Sequence, residues 1–190
     1  MRDRVFLLTA LALAGCGGGD EPNTVREKEA AQVAVARTMT GWDRVFASPV
    51  ELVGSINQAG FGLPDYAASK TARGYRSEGR ERLMSRSYAP TPNMGNAALT
   101  GPRPDRVERI AFSLTLADPE DAATARDRMA QLISETLTRA GIAGGERLVD
   151  AVRTGTSGQF DVSGQRGDVL FVPGRMDVTF YRPAAIAAAT

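Results

Sequence analysis

Between residues 107 and 117, apolar Ile110, Phe112, Leu114 and Leu116 are interleaved with Ala111, Ser113 and Thr115. A period of two over this length predicts a strand with one face on a core. The spacing then changes to three and four, with Ala122, Ala125, Met129, Leu132, Ile133, Thr136, Leu137 and Ala140 on one helical stripe,. Asp118-Pro119-Glu120-Asp121 supplies that helix with an N-cap, an early proline and carboxylates at its positive end, and Gly141 closes it,. This helix is expected to lie across the sheet face built by Phe112 and its neighbours. A short helix over 146–153 follows, with Leu148, Val149 and Val152 on one side. Strands are predicted at 159–163, 169–172 and 176–181, the last two joined as a hairpin by the turn signal Pro173-Gly174,.

The first half of the chain is less regular. Ser48-Pro49-Val50-Glu51 reads as a capping box with proline at the first helical position, and Leu52, Val53 and Ile56 share one face of the helix it opens, 49–59,. Gly60 stands where a left-handed cap is expected, with Phe61 packing back,. Residues 25–46 are helix-compatible, with a breaker at Gly41, and Trp42, the only tryptophan, is expected to be a core anchor,. Strands are expected at 65–75 and 82–89. Pro90 to Pro104, with four prolines, two glycines and two asparagines, reads as one long loop,. The pattern as a whole predicts an α+β domain, an antiparallel sheet of about five strands with two to four helices packed mainly on one face. That single domain is expected over 25–182, with 25–47 as a possible peripheral helix and a low-complexity tail at 183–190.

The extreme N-terminus has its own logic. Arg2 and Arg4 precede an apolar run from Val5 to Leu13 that is far shorter than the roughly 20 residues of a spanning helix, and small residues lead to the one cysteine,. Leu13-Ala14-Gly15-Cys16 resembles the lipobox of bacterial lipoprotein precursors, in which the chain is cut between the residues corresponding to Gly15 and Cys16. The resemblance covers only these first residues. It implies a signal peptide over 1–15, and a Cys16 that carries thioether-linked diacylglyceryl of the palmitate class. Two or three acyl chains, at about 0.8 kcal/mol per buried methylene, anchor a protein stably. The residue after Cys16 is Gly17 rather than the Asp of the family's inner-membrane retention signal, which implies the periplasmic face of the outer membrane in a two-membrane bacterium. Residues 16–24, rich in glycine, would then be a flexible tether,. The residues alone also allow an ordinary secretory signal followed by an incidental cysteine, or a small core thiol.

Composition narrows the chemistry. The 190 residues contain no histidine, which excludes Ser-His-Asp and Cys-His catalysis and imidazole metal sites within this chain,. Without residues 1–15 the chain has 21 basic and 21 acidic residues, so general nucleic-acid binding loses its electrostatic basis,. No metal or cofactor is expected. Glu120 with Asp121, and Asp105 with Glu108, are the carboxylate pairs a hydrolase would use, although capping accounts for the first.

One stretch departs from neutrality: Lys70 to Arg109 holds nine basic residues against four acidic ones. Within it, Arg73, Arg76, Arg80, Arg82 and Arg86, with Tyr75 and Tyr88, are the candidate binding residues for an anionic glycan, a lipid headgroup or an acidic envelope protein. Solvated charge on exposed strands is the plainer explanation. The function expected from sequence is therefore a lipid-anchored, non-catalytic envelope binding or accessory module, the alternative being an envelope hydrolase with paired carboxylates.

If the lipobox operates, intact-mass analysis of the native protein will show a chain that begins at acylated Cys16, and Cys16→Ser will leave the membrane fraction. An unacylated soluble native product would remove the anchor.

Overall fold

The computed structural model describes residues 24–36, 38–85 and 88–182. Gly15, Cys16, Arg86 and the tail at 183–190 lie outside the described residues. Five helices and eight strands occur among those described. In chain order they are α1 (Val25–Ala36), α2 (Gly41–Ala47), α3 (Pro49–Ala59), β1 (Ala67–Ala68), β2 (Tyr75–Glu78), β3 (Arg82–Leu83), β4 (Met94–Gly101), β5 (Arg109–Thr115), α4 (Ala122–Arg139), α5 (Glu146–Thr154), β6 (Gly158–Val162), β7 (Gln165–Val172) and β8 (Arg175–Tyr181). The strands form one antiparallel sheet in the order β1-β2-β4-β5-β8-β7-β6, with β3 also on β4. The α+β class stands, but the sheet is larger than the five strands expected and there are five helices rather than two to four.

The largest correction concerns 90–104. Its middle is β4, paired with β5 from Met94↔Thr115 to Thr100↔Arg109 and with β2 and β3 on its other side. Glycine and alanine hide the alternation, yet Gly95, Ala97 and Leu99 are buried while Asn96, Ala98 and Thr100 are less so. The small residues have a cause: a Cβ on Gly95 would stand 2.6 Å from Met84 Cε and 2.8 Å from Met129 Cε. The proline and glycine content that suggests a loop belongs to the strand's flanks and to its close packing.

Preceding it, β2 and β3 together line one edge of β4 but do not run in one register. Glu78 pairs with Ala98 and Arg82 with Gly95, so four steps along one strand face three along the other. This extra residue is a bulge, and a shift of one reverses which face each later side chain takes. The strands expected at 65–75 and 82–89 are accordingly much shorter, and their arginines do not share a face.

Helix starts show a second departure. Ser48 makes no side-chain cap bond to α3, and Glu51 instead accepts from Arg44 at 2.9 Å. A reciprocal capping box exists elsewhere, at Thr24 and Glu27: Glu27 N–H donates to Thr24 Oγ1 at 3.1 Å, and Thr24 N–H to Glu27 Oε2 at 2.9 Å,. Asp118 does not cap α4 directly. It accepts the Glu120 amide at 3.1 Å in a turn, and the helix begins at Ala122. The helix stops are as the glycines predict. Gly60 N–H donates to the Asn57 carbonyl and Phe61 N–H to that of Ile56, and the same pair of bonds recurs at Gly141 and Ile142,.

One apolar cluster joins the helices to one sheet face. Phe112, Leu114, Met176, Val178 and Phe180 of β5 and β8 pack with Met129 and Ile133 of α4, Leu148 and Val152 of α5, and Phe46, Leu52 and Ile56 of α2 and α3. Trp42 is buried in this cluster as expected, with its Nε1–H donated to the Val162 carbonyl at 2.6 Å. Its ring lies 5.7 Å from Phe46 and 5.0 Å from Phe180. The described side chains of α1, in contrast, are exposed.

Two glycines of β4 separate tolerance from intolerance. Around Gly95 the obstructing atoms are Met84 Cε and Cγ and Met129 Cε, all in flexible side chains rather than backbone, so Gly95→Ala is expected to cost about 1 kcal/mol, the low end for an overpacked core. A Cβ on Gly101 would meet the Arg106 carbonyl and the Tyr66 hydroxyl, which is itself bonded to that carbonyl. Gly101→Ala should therefore cost roughly 2–3 kcal/mol, in the range of overpacked cores. Urea unfolding of the two variants measures the gap.

Candidate anion-binding cleft

Because all the packed helices lie against one face, the other face of the sheet is open, and side chains at i and i+2 on its strands are neighbours. Arginine and carboxylate occupy such pairs repeatedly. Arg175 bonds Asp177 at 2.7 and 3.0 Å, Arg166 bonds Asp168 at 2.7 and 3.0 Å, and Arg76 bonds Glu78. Arg109 lies 6.0 Å from the centre of the Tyr181 ring on the neighbouring strand, a cation–π distance,.

The Asp177 carboxylate is the best held. Burial favours its neutral form, but bonds from Arg175 and from Ser113, whose hydroxyl donates at 2.7 Å, outweigh this together with the charges of Arg175 and Arg109. Its pKa is thereby held below the ordinary carboxylate range,.

At the end of this face, where the β1–β2 turn passes over the end of β4, a cleft of about 500 Å³ opens between Arg73, Tyr75 and Arg76 on one side and Thr100, Pro102 and Glu108 on the other. Gly74 (φ +93°) makes the turn, and the Ser69 amide donates to its carbonyl at 2.9 Å. Arg76 then faces Thr100 across the ladder, and Tyr75 faces Gly101. Beneath the cleft, the Tyr66 ring lies 6.1 Å from that of Tyr75, and its hydroxyl donates to the Arg106 carbonyl at 3.0 Å. Burial, reinforced by the charges of Glu108 and Asp105 and by Tyr75, raises the Tyr66 pKa far above that of a free tyrosine, so the phenol stays neutral as a donor.

Of the candidates read from sequence, this cleft gathers Arg73, Tyr75 and Arg76. The others go elsewhere. Arg80 is exposed on the bulge, and Tyr88 is fully exposed beyond β3. Arg82, across from Gly95, follows the helix side: a Cβ on Gly60 would stand 2.7 Å from its guanidinium. It thus lies at the C-terminal end of α3, where a helix favours positive charge. Thr100 was hidden in the supposed loop, and Glu108, singled out only as half of a carboxylate pair, enters the cleft as an acidic wall.

Its partner in that pair, Asp105, is taken by Arg103 at 3.0 and 2.7 Å, and Glu120 and Asp121 stand in the turn before α4. Among the described residues, no group of three Asp, Glu, Cys or His side chains is placed to hold a metal ion, and no helix is long and apolar enough to cross a membrane.

Two guanidiniums on one cleft can hold an oxyanion by charge-assisted bonds, while Tyr75, the residue before Arg76 on β2, leaves the strand on the opposite face,. An exposed pair such as Arg76–Glu78 contributes about 0–1 kcal/mol, so an anion that displaces Glu78 loses little and gains charge-assisted bonds. No protein-family model, curated protein or solved structure matches the chain.

The Ser113–Asp177 bond gives a pH signature. Ser113→Ala should raise the Asp177 pKa in an NMR titration. Because the folded pKa is depressed, the stability this carboxylate contributes is present above the unfolded value near 4 and is lost as pH falls through the folded one. The stability difference between wild type and Ser113→Ala is therefore expected to be full at pH 7 and to shrink in acid.

Proposed function

We propose that the protein is a lipid-anchored, non-catalytic binding module of the bacterial cell envelope, and that the Arg73–Tyr75–Arg76 cleft takes an anionic group of an envelope glycan or lipid. The meeting of Arg73 and Arg76, with Tyr75 between them in the chain, in the lining of one cleft carries the reading. In a chain with no net surplus of charge beyond the signal, two arginines and a tyrosine on one concavity are a local concentration of anion-binding chemistry,.

The lipobox resemblance supplies the place. The eight residues after Cys16, 17–24, reach at most about 30 Å,, which keeps such a cleft close to the membrane surface, here the periplasmic face of the outer membrane. At that range, even weak sites gain from a high effective concentration.

The test uses Cys16→Ser protein, so that acyl chains do not dominate, in sedimentation with purified peptidoglycan and, separately, with vesicles containing phosphatidylglycerol. Arg73→Glu with Arg76→Glu is expected to weaken binding at least tenfold on whichever surface carries the ligand. Arg80→Glu, outside the cleft, should leave it within about twofold. Equal losses from both sets, or none from the first, would take the cleft out of the reading.

A further inference from the structure

A second cleft, of about 390 Å³, lies on the helix layer, between α2 and α3 on one side and the end of α4 on the other. Its floor carries the apolar residues Val45, Leu52 and Ala140, and its charged groups are Arg44, Glu51 and Arg139. Arg44 is oriented by Glu51, whose Oε2 accepts at 3.2 and 2.9 Å, and Arg139 by Gln58, which accepts at 3.2 Å. Each guanidinium has five N–H donors and these bonds use one or two, so both retain donors. Ser48, at the start of α3, lines the same cleft. Its hydroxyl is buried and is the one such side-chain atom without a hydrogen-bond partner among the described residues. It also makes no cap bond to the helix it precedes. An orphaned buried hydroxyl carries a desolvation cost that a bound group would relieve. Gly54, in the wall, has open space where its Cβ would be.

We infer that this cleft is a ligand site, separate from the Arg73–Arg76 cleft, for the free carboxyl end of a short peptide. Two guanidiniums against one carboxylate leave a surplus positive charge for the terminal carboxylate. The remaining Glu51 oxygen and Gln58 suit the peptide's amide N–H and C=O, and the floor suits a small apolar side chain. Ser48 then gains its missing partner through a minor rotation of its hydroxyl toward the ligand. The volume is that of a small-molecule site. The inference does not rest on the envelope reading, because it uses neither the anchor nor the basic segment.

Trp42, in the turn before Arg44 and Val45, provides a fluorescence readout. The protein is titrated with N-acetyl-alanyl-alanine, with its C-terminal amide, and with inorganic phosphate, and each is checked by NMR shifts of the Ser48 and Gly54 amides. Saturable binding of the free acid is expected, weakened at least tenfold for the amide and for Arg139→Gln. Gly54→Leu should abolish it while keeping the melting temperature at or above wild type, since leucine is the better helix former. No saturable binding of the acid, equal binding of acid and amide, preference for phosphate, or binding unchanged in folded Gly54→Leu would each overturn the assignment.

Discussion

The sheet can bury only one of its faces, and the rest of the chain is arranged around covering it. Three cross-strand rows define that face: Leu99–Ile110–Phe180–Gly167, Ala97–Phe112–Val178–Val169 and Gly95–Leu114–Met176–Phe171. Large side chains are concentrated on the central strands β5 and β8, and small ones stand where helix side chains descend. A Cβ on Gly167 would collide with Leu148 of α5 and Phe180, as one on Gly95 would with Met129 of α4. The surface is thus shaped to take α4 and α5, which is how interiors reach crystal-like density.

The helices that precede the sheet are drawn in by the same need. α2 has only seven residues, too short to hold its conformation unaided,. The Trp42 indole fixes it, closing the sheet near the end of its edge strand through the Val162 carbonyl and stacking on Phe46 and Phe180. That one bond spans 120 residues of sequence, and it places α2 and α3 so that their outer surfaces meet the end of α4. The cleft with Ser48 at its base is a consequence of this meeting.

Legibility in the sequence followed the size of the side chains. β5, α4 and the β7–β8 hairpin are written in large residues at clean spacings, and glycine marks the ends of α3 and α4 without ambiguity. β4 was illegible because its buried positions are Gly95, Ala97 and Leu99, and a scale that rewards bulk reads the first two as loop. Capping was legible as chemistry but not as place: serine and glutamate stand three apart at 48–51, yet Arg44, seven residues before Glu51, claims the carboxylate. The basic segment failed differently. Arg76 and Arg82 are an even number of residues apart and would share a face on an unbroken strand; the bulge between them, visible only in the register, sends them to opposite sides.

The open face adds a constraint on where recognition can occur. A wide, flat, uncovered sheet invites association, and proteins commonly counter this with charge. Here an arginine and a carboxylate stand two apart on each of β2, β7 and β8, so much of the charge on the face is matched within its own strand. Each of these pairs is worth little to stability, but together they leave little unmatched charge for a ligand to address, even around the exposed Leu170 and Val172. A binding partner gains most where an arginine is not already matched within its own strand and where the surface is concave. Arg73 meets both conditions beside Arg76, in a turn that the ladder of paired charges does not reach. The pairing of charges along the strands therefore makes the sheet's end the part of this face where the proposed anion site can lie.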